Sequence, residues 1–255
     1  MSPVHAPGMN PEQAREWFGR WEGQQRHYAQ GRDERFEVIC DAVEAVNPRP
    51  GVIVDLGSGP GSLAARVAAR FPRCEVIAVD IDPFLIALGR AAHPGIGFVR
   101  ADMATTDWTQ HLRSTAVSAV VSSTALHYPT PSALADIYRT CAAVLSSGGV
   151  MVNADHLHPS AYLREVARLV GARSAHRRDT PPAAEDWEHW WAAANRVPEF
   201  AELLRDRKRL VPPHPGDNDL MVDDHRRLMC DNGFAVADTV WQCGFSTVLV
   251  GRKAP

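Results

Sequence analysis

Val54-Asp55-Leu56-Gly57-Ser58-Gly59-Pro60-Gly61 stands where a β-branched run gives way to an amphipathic one, and its reading decides the fold. Residues 52–56 are apolar except for Asp55, the pattern of a strand buried on both faces of a parallel sheet. Glycines at 57, 59 and 61 supply permissive dihedrals for a tight turn and leave no Cβ in the way of a ligand lying against the backbone. Asp80, nineteen residues beyond Gly61, closes the next β-branched run, 75–80, where an acidic side chain can accept both hydroxyls of a ribose. Loop, acid and spacing together point to a nucleoside-containing cofactor.

Working outward, β-branched runs recur at 97–101, 117–122 and 149–154, separated by amphipathic stretches in the rhythm of βαβ units. Asp82-Pro83 reads as an N-cap followed by proline at the first helical position, and a helix over 131–145 ends in the turn Ser146-Ser147-Gly148-Gly149. Upstream, 11–47 reads as two helices broken near Gly31, with Trp17, Trp21, Phe36, Val38 and Ile39 as apolar anchors. Downstream, 155–217 interrupts the rhythm with Arg-rich and Trp-rich helical sequence. A helix over 222–232, a C-cap at Gly233 and strands near 235–241 and 246–251 then resume it. The expected organisation is an N-terminal helical lid over 1–50, an α/β core over 51–154, an inserted helical cap over 155–217, and a helix with paired strands over 218–255 completing the sheet. The fold class is α/β, a doubly wound, seven-stranded, mostly parallel sheet carrying that cap.

With 255 residues, 45% hydrophobic and 22% charged, the chain has the composition of a globular protein able to bury a core. A formal charge of −3 argues against nucleic acid as a partner, and no stretch approaches eighteen uninterrupted apolar residues, which argues against a membrane. Five scattered cysteines without C-x-x-C spacing fit reduced thiols and a cytoplasmic setting. Only Lys208 and Lys253 among the 27 basic residues are lysine, a bias read as GC-rich coding.

A dinucleotide fingerprint G-x-G-x-x-G would need a third glycine at position 62, where the chain has Ser62. The string found, G-x-G-x-G after Asp55, resembles motif I of the class I, Rossmann-like S-adenosylmethionine (SAM)-dependent methyltransferases. The resemblance continues through Asp80-Ile81-Asp82, Arg100-Ala101-Asp102-Met103, Ser122-Ser123-Thr124-Ala125-Leu126-His127 and Leu145-Ser146-Ser147-Gly148-Gly149. It implies that Asp55, Gly57, Ser58, Gly59 and Gly61 line the methionine and ribose part of SAM, and that Asp80 holds the ribose beside Ile81. It also implies that Asp102 and Met103 meet the adenine and that Ser122 borders the cofactor after the fourth strand. Tyr28, Arg32 and Arg35 fall where relatives place a lid over the methionine carboxylate.

The chemistry is then expected beyond the ends of the fourth and fifth strands, at His127-Tyr128 and Asp155-His156-Leu157-His158. Imidazole titrates near neutrality and can take a proton from a hydroxyl or amine, so His127 is the first candidate base, with His156 and His158 behind it. Tyr28, Tyr128, Trp190 and Trp191 are the candidate substrate contacts. Trp187, Trp190 and Trp191, at i, i+3 and i+4, make a helical stripe that reads either as core or as a flat wall for a substrate. No metal is expected. The function implied is methyl transfer from SAM, leaving S-adenosylhomocysteine (SAH), to an O or N atom of a small natural product or metabolite. A SAM-binding protein without catalysis and a nicotinamide-dependent oxidoreductase stay open as rivals.

Overall fold

The computed structural model describes residues 9–28, 31–112, 117–178, 185–213 and 216–255, the side chains at 27, 28 and 178 excepted. Its sheet has seven strands: β1 (Val52–Leu56), β2 (Glu75–Asp80), β3 (Gly97–Arg100), β4 (Val117–Ser123), β5 (Leu145–His156), β6 (Val236–Cys243) and β7 (Ser246–Arg252). Their order is β3-β2-β1-β4-β5-β7-β6. All neighbouring pairs are parallel except those made by β7, which runs antiparallel to β5 and β6. Strand order reverses between β1 and β4, so the C-terminal ends of those strands splay apart and leave a crevice there.

Each face of the sheet is covered, which is why β1 is buried along its whole length. Ile53, Ala119, Val121 and Val150 face α2 (Arg32–Val46) and α3 (Ser62–Arg70) through Ile39, Val43 and Val67. Val54, Leu56, Val120 and Met151 face α5 (Pro131–Val144) and α9 (Val222–Asp231) through Ile137, Tyr138 and Met229. A third cluster lies at one end, where α1 (Pro11–Tyr28) and α4 (Pro83–Ala92) meet α7 (Trp187–Ala194) and α8 (Ala201–Leu210). Asp82 caps α4 as the sequence indicates, accepting from the backbone N–H groups of Phe84 at 2.9 Å and Leu85 at 3.2 Å, with Pro83 following it.

The bounds of one strand differ from expectation. β5 begins at Leu145 and ends at His156, because Ser146–Gly149 is extended with a register shift against β4 and the last two residues pair with Ser246 and Thr247. The inserted segment, moreover, is not one body. Its first helix, α6 (Arg164–Arg178), rests on the β6–β7 turn, where a Cβ on Gly244 would come within 2.8 Å of the Gly171 Cα. Its other helices, α7 and α8, pack on α1 and α4. All five cysteines are free thiols. Among the described residues no helix is long and apolar enough to cross a membrane.

Candidate active site

The loop after β1 is held by backbone and by two carboxylates. Gly57, Gly59 and Gly61 have φ of +70°, +54° and +89°, where L side chains are strained. Packing adds to that need at two of them: a Cβ on Gly57 would lie 2.3 Å from the Ala125 Cβ, and one on Gly61 2.7 Å from the Phe98 ring. Gly61 and Ser122, expected to touch cofactor, do not line the cavity. Gly61 instead opens α3, and Ser122 is fully buried with its Oγ donating to the Leu56 carbonyl at 2.7 Å; Ser123, one residue on, faces the cavity.

Asp80 Oδ2 accepts from the Gly59 N–H at 2.7 Å and Oδ1 from the Asp82 N–H at 2.9 Å. A carboxylate offers about four lone-pair sites, so room remains for two further donors. Burial pushes its pKa up to about 6 against those backbone donors. Asp55, also buried, accepts from the Ala64 N–H at 3.0 Å; burial raises it to about 7, with Asp80 adding to the rise. That bond occupies an N–H in the first turn of α3, one of the groups a pyrophosphate would need.

These residues line a cavity of about 570 Å³, within the range of small-molecule sites. Its wall includes Ser58, Ile81, Leu85, Asp102 and Met103 from the core, Trp21, Arg32 and Phe36 from the N-terminal helices, and Trp187, Glu188, Arg207 and Val211 from the insert. The charge balance is acidic: Asp55, Asp80, Asp82, Asp102 and Glu188 face two arginines, and both arginines are already paired. Arg32 makes a bidentate pair with Glu22 at 2.8 and 3.0 Å. Glu22 also accepts from Ser62 Oγ and pairs with Arg66 at 3.1 Å. Burial raises the Glu22 pKa, but Arg32, Ser62 and Arg66 outweigh it and hold the group at about 2. Arg207 donates to Asp82 at 2.6 Å and stacks 3.9 Å above the Trp191 ring.

The other end of the cavity carries the histidines. His127 Nδ1 lies 2.6 Å from Asp155 Oδ1. Asp155 is fully buried and accepts from the N–H groups of Leu126, His127 and His156 at 3.0, 3.1 and 2.8 Å. Burial opposes its charge, yet His127 holds its pKa far below the usual carboxylate range. Burial likewise works against an imidazolium at His127, and Asp155 outweighs it, so that pKa rises. His127, Tyr128 and His156 all line the cavity. Burial, with Arg35 behind it, lowers His156 to about 4 and keeps it neutral.

Four further expected contacts fall elsewhere. His158 lies outside the cavity, edge-on to Phe245 and 3.6 Å from Asp219. Trp190 is fully buried, with ring centroids 5.5 Å from Trp17 and 5.1 Å from Trp21, so the stripe is core at that position. Trp191 packs under Arg207, and Trp187 is the member of the stripe that reaches the cavity. The side chain of Tyr28 lies outside the described residues. Arg35 is fully buried, donating to Ser123 at 3.2 Å and Ser246 at 3.4 Å, and does not line the cavity. Glu22, Arg207 and the Asp155 support of His127 had no signal in sequence, because their partners are 10 to 125 residues away. Among the described residues no group of three or more His, Cys, Asp or Glu side chains could hold a metal.

Comparison with known proteins places this geometry. Residues 53–149 match the family model described as a methyltransferase domain. The chain is 40% identical over 83 residues, 32% of its own length and 31% of the relative's, to trans-aconitate 2-methyltransferase of Methylobacterium radiotolerans. A similar match, 35% over 83 residues, is made to trans-aconitate 2-methyltransferase of Rhizobium meliloti, with 32% of each chain covered. The chain thus spans about a third of the length of the curated relatives it matches. Among solved structures it is similar to SAM-bound CalS10, an amino pentose methyltransferase from Micromonospora echinaspora involved in calicheamicin biosynthesis. That similarity has a TM-score of 0.59 and 16% identity, over 92% of this chain and 96% of the other. The PH0226 protein from Pyrococcus horikoshii gives 0.55 and 16%, over 88% and 92%. At such identities the likeness is one of fold.

Proposed function

We propose that the chain, which matches a methyltransferase domain over residues 53–149, is a class I, Rossmann-like SAM-dependent methyltransferase and transfers the methyl group of SAM to an O or N atom of a small-molecule acceptor. The acidic lining supports this cofactor. SAM is cationic at its sulfonium, whereas a dinucleotide would bring a pyrophosphate to paired arginines, ionisable carboxylates and an α3 N–H already given to Asp55. In this reading Asp80 takes the ribose hydroxyls on its remaining lone pairs, Ile81, Leu85 and Met103 enclose the adenine, and Asp102 accepts from its amino group. Asp55 and the loop of Gly57, Ser58 and Gly59 border the methionine portion.

Bound SAM supplies an electrophilic methyl carbon, and aligning the acceptor with it provides most of the acceleration. What the protein adds is a base. Nδ1–H of His127 donates to Asp155, which fixes the tautomer with the Nε2 lone pair free to take the acceptor's proton. That pair is the observation that carries the reading, since a carboxylate acceptor such as the one in the names of the curated relatives needs no base, while a hydroxyl or ammonium does. His156, held neutral, borders the same space. A cytoplasmic setting fits the free thiols, and the acceptor is proposed to belong to natural-product or other specialised metabolism.

Binding of SAM and SAH without NAD, followed by SAH release with a hydroxyl or amine acceptor panel, is the expected result. NAD binding in place of SAH would overturn it, and SAH binding without turnover on any acceptor would leave a SAM-binding protein without catalysis.

A further inference from the structure

The loop Gly216-Asp217-Asn218-Asp219-Leu220 lies beside His127, outside the lining of the cavity, and it is built more firmly than an exposed connection requires. The Asn218 backbone N–H donates to the His127 carbonyl at 2.7 Å, its Nδ2 donates to the Leu126 and Pro129 carbonyls at 3.0 Å each, and its Oδ1 accepts from the Leu220 N–H at 3.1 Å. The side-chain amide nitrogen fastens the loop to residues 126–129, and the side-chain oxygen closes the loop on itself at Leu220. Asp219 next to it adopts φ of +54°, a left-handed conformation that costs energy for a residue other than glycine. Such a loop fixes the backbone between glycine and asparagine, and the side chain it presents there, 57% exposed, is the carboxylate of Asp217.

Asp217 Oδ1 lies 3.8 Å from His127 Nε2, on the ring edge opposite Asp155. The gap is too long for a hydrogen bond and of a length that one nitrogen can span. An atom about 2.8 Å from each stands about 2 Å off the line joining them. Among the described residues no arginine or lysine pairs with Asp217. The cations nearby are otherwise committed: Arg35 is fully buried on Ser123 and Ser246, and Arg32 is held by Glu22.

We infer that Asp217 is a specificity-determining residue that binds a protonated amine, and that the acceptor is a primary or secondary amine methylated on nitrogen. This rests on the methyl-transfer reading and narrows it. The ammonium docks between Asp217 and His127, and Nε2 removes one proton to expose the lone pair. That pair forms the N–C bond as the S–C bond of the sulfonium breaks, its electrons staying on sulfur as the thioether of SAH. The proton on His127 passes to solvent. An anionic acceptor would instead meet the Asp217 charge, with Arg32 and Arg35 already committed to other partners.

The test uses the whole protein with SAH bound and histidine side chains labelled for NMR, titrated in turn with benzylammonium, benzyl alcohol and benzoate. Benzylammonium is expected to shift the His127 signals at roughly tenfold lower concentration than benzyl alcohol, the ratio of one charge-assisted hydrogen bond, and benzoate to bind weakest. Asp217→Asn should erase that preference while SAH affinity by calorimetry stays unchanged, and Asp219→Asn should keep it. Equal or tighter binding of the alcohol or benzoate, no response to benzylammonium, or a preference that survives Asp217→Asn would overturn the inference. Failure of SAH itself to bind would strike the methyl-transfer reading.

Discussion

Asp82 and Arg207, 125 residues apart, join the insert to the cofactor half of the protein: Asp82 Oδ2 accepts from Arg207 Nε at 2.6 Å while Oδ1 of the same carboxylate caps α4. One side chain therefore closes the strand-end acidic segment and anchors α8 above it. With Trp187 against Trp21 at 5.4 Å, the helices α7 and α8 border the cavity beside Trp21 and Asp82.

Arg207→Ala is accordingly expected to weaken SAH binding about fivefold to thirtyfold, the equivalent of roughly 1–2 kcal/mol for a charge-assisted bond to a buried carboxylate. The acceptor KM should barely change. Calorimetric titration of SAH and steady-state kinetics separate the two, and a change in acceptor KM alone would assign the insert to the acceptor.

The loop glycines are ranked by what a methyl group would meet. Gly57→Ala drives a Cβ onto Ala125 at φ of +70°, whereas at Gly59 the nearest atom is 3.6 Å away and only the dihedral resists. Gly57→Ala is expected to cost roughly 2–3 kcal/mol and Gly59→Ala about 1 kcal/mol. Thermal unfolding should show a lower Tm for Gly57→Ala than for Gly59→Ala, and the reverse order would contradict the packing account.

His225 is fully buried, with Nδ1 2.7 Å from the Tyr138 hydroxyl, and burial lowers its pKa to about 4. A histidine whose folded pKa is depressed stabilises the fold above its unfolded value near 6.5, and that contribution is lost as the unfolded chain gains protons between pH 6.5 and 4. The stability advantage of the wild type over His225→Phe, measured by urea unfolding, should therefore shrink by up to about 3 kcal/mol across that window. A constant difference would mean that His225 does not titrate with unfolding.

At His127 the pH dependence runs through the rate. A neutral imidazole is needed, so the rate should rise with pH along a limb displaced above the ordinary histidine value by Asp155. Asp155→Asn should move the limb down, and His127→Ala should lower turnover roughly a hundredfold to ten-thousandfold with SAH affinity nearly intact. A limb that survives in His127→Ala would transfer the role to His156.

The cofactor half was legible because its signals are local. The Val52–Leu56 strand, the glycine loop, Asp80 and the Asp82-Pro83 cap each depend on neighbours in sequence, and each lies where its pattern indicates. The choice between Ser122 and Ser123 depended on which side of β4 faces the crevice, and strand alternation alone leaves that open. Trp190 and His158 lie away from the cavity for a related reason. A tryptophan stripe reads the same whether it meets a substrate or α1, and the β5 end lets His156 enter the cavity while turning His158 to Phe245. Residue type revealed what Gly57 and Gly61 are, yet the neighbours that require glycine there, Ala125 and Phe98, come from distant strands and loops.

The central claim is that the cavity between β1, β2 and β4 takes SAM through Asp80. Calorimetric titration of the wild type and Asp80→Ala with SAH, alongside NAD, tests it most directly. The predicted result is saturable SAH binding, no NAD binding, and a loss of about tenfold to a hundredfold in Asp80→Ala, corresponding to roughly 1–3 kcal/mol for unpaired ribose hydroxyls. Unchanged SAH affinity in Asp80→Ala, or NAD binding where SAH does not bind, would contradict it.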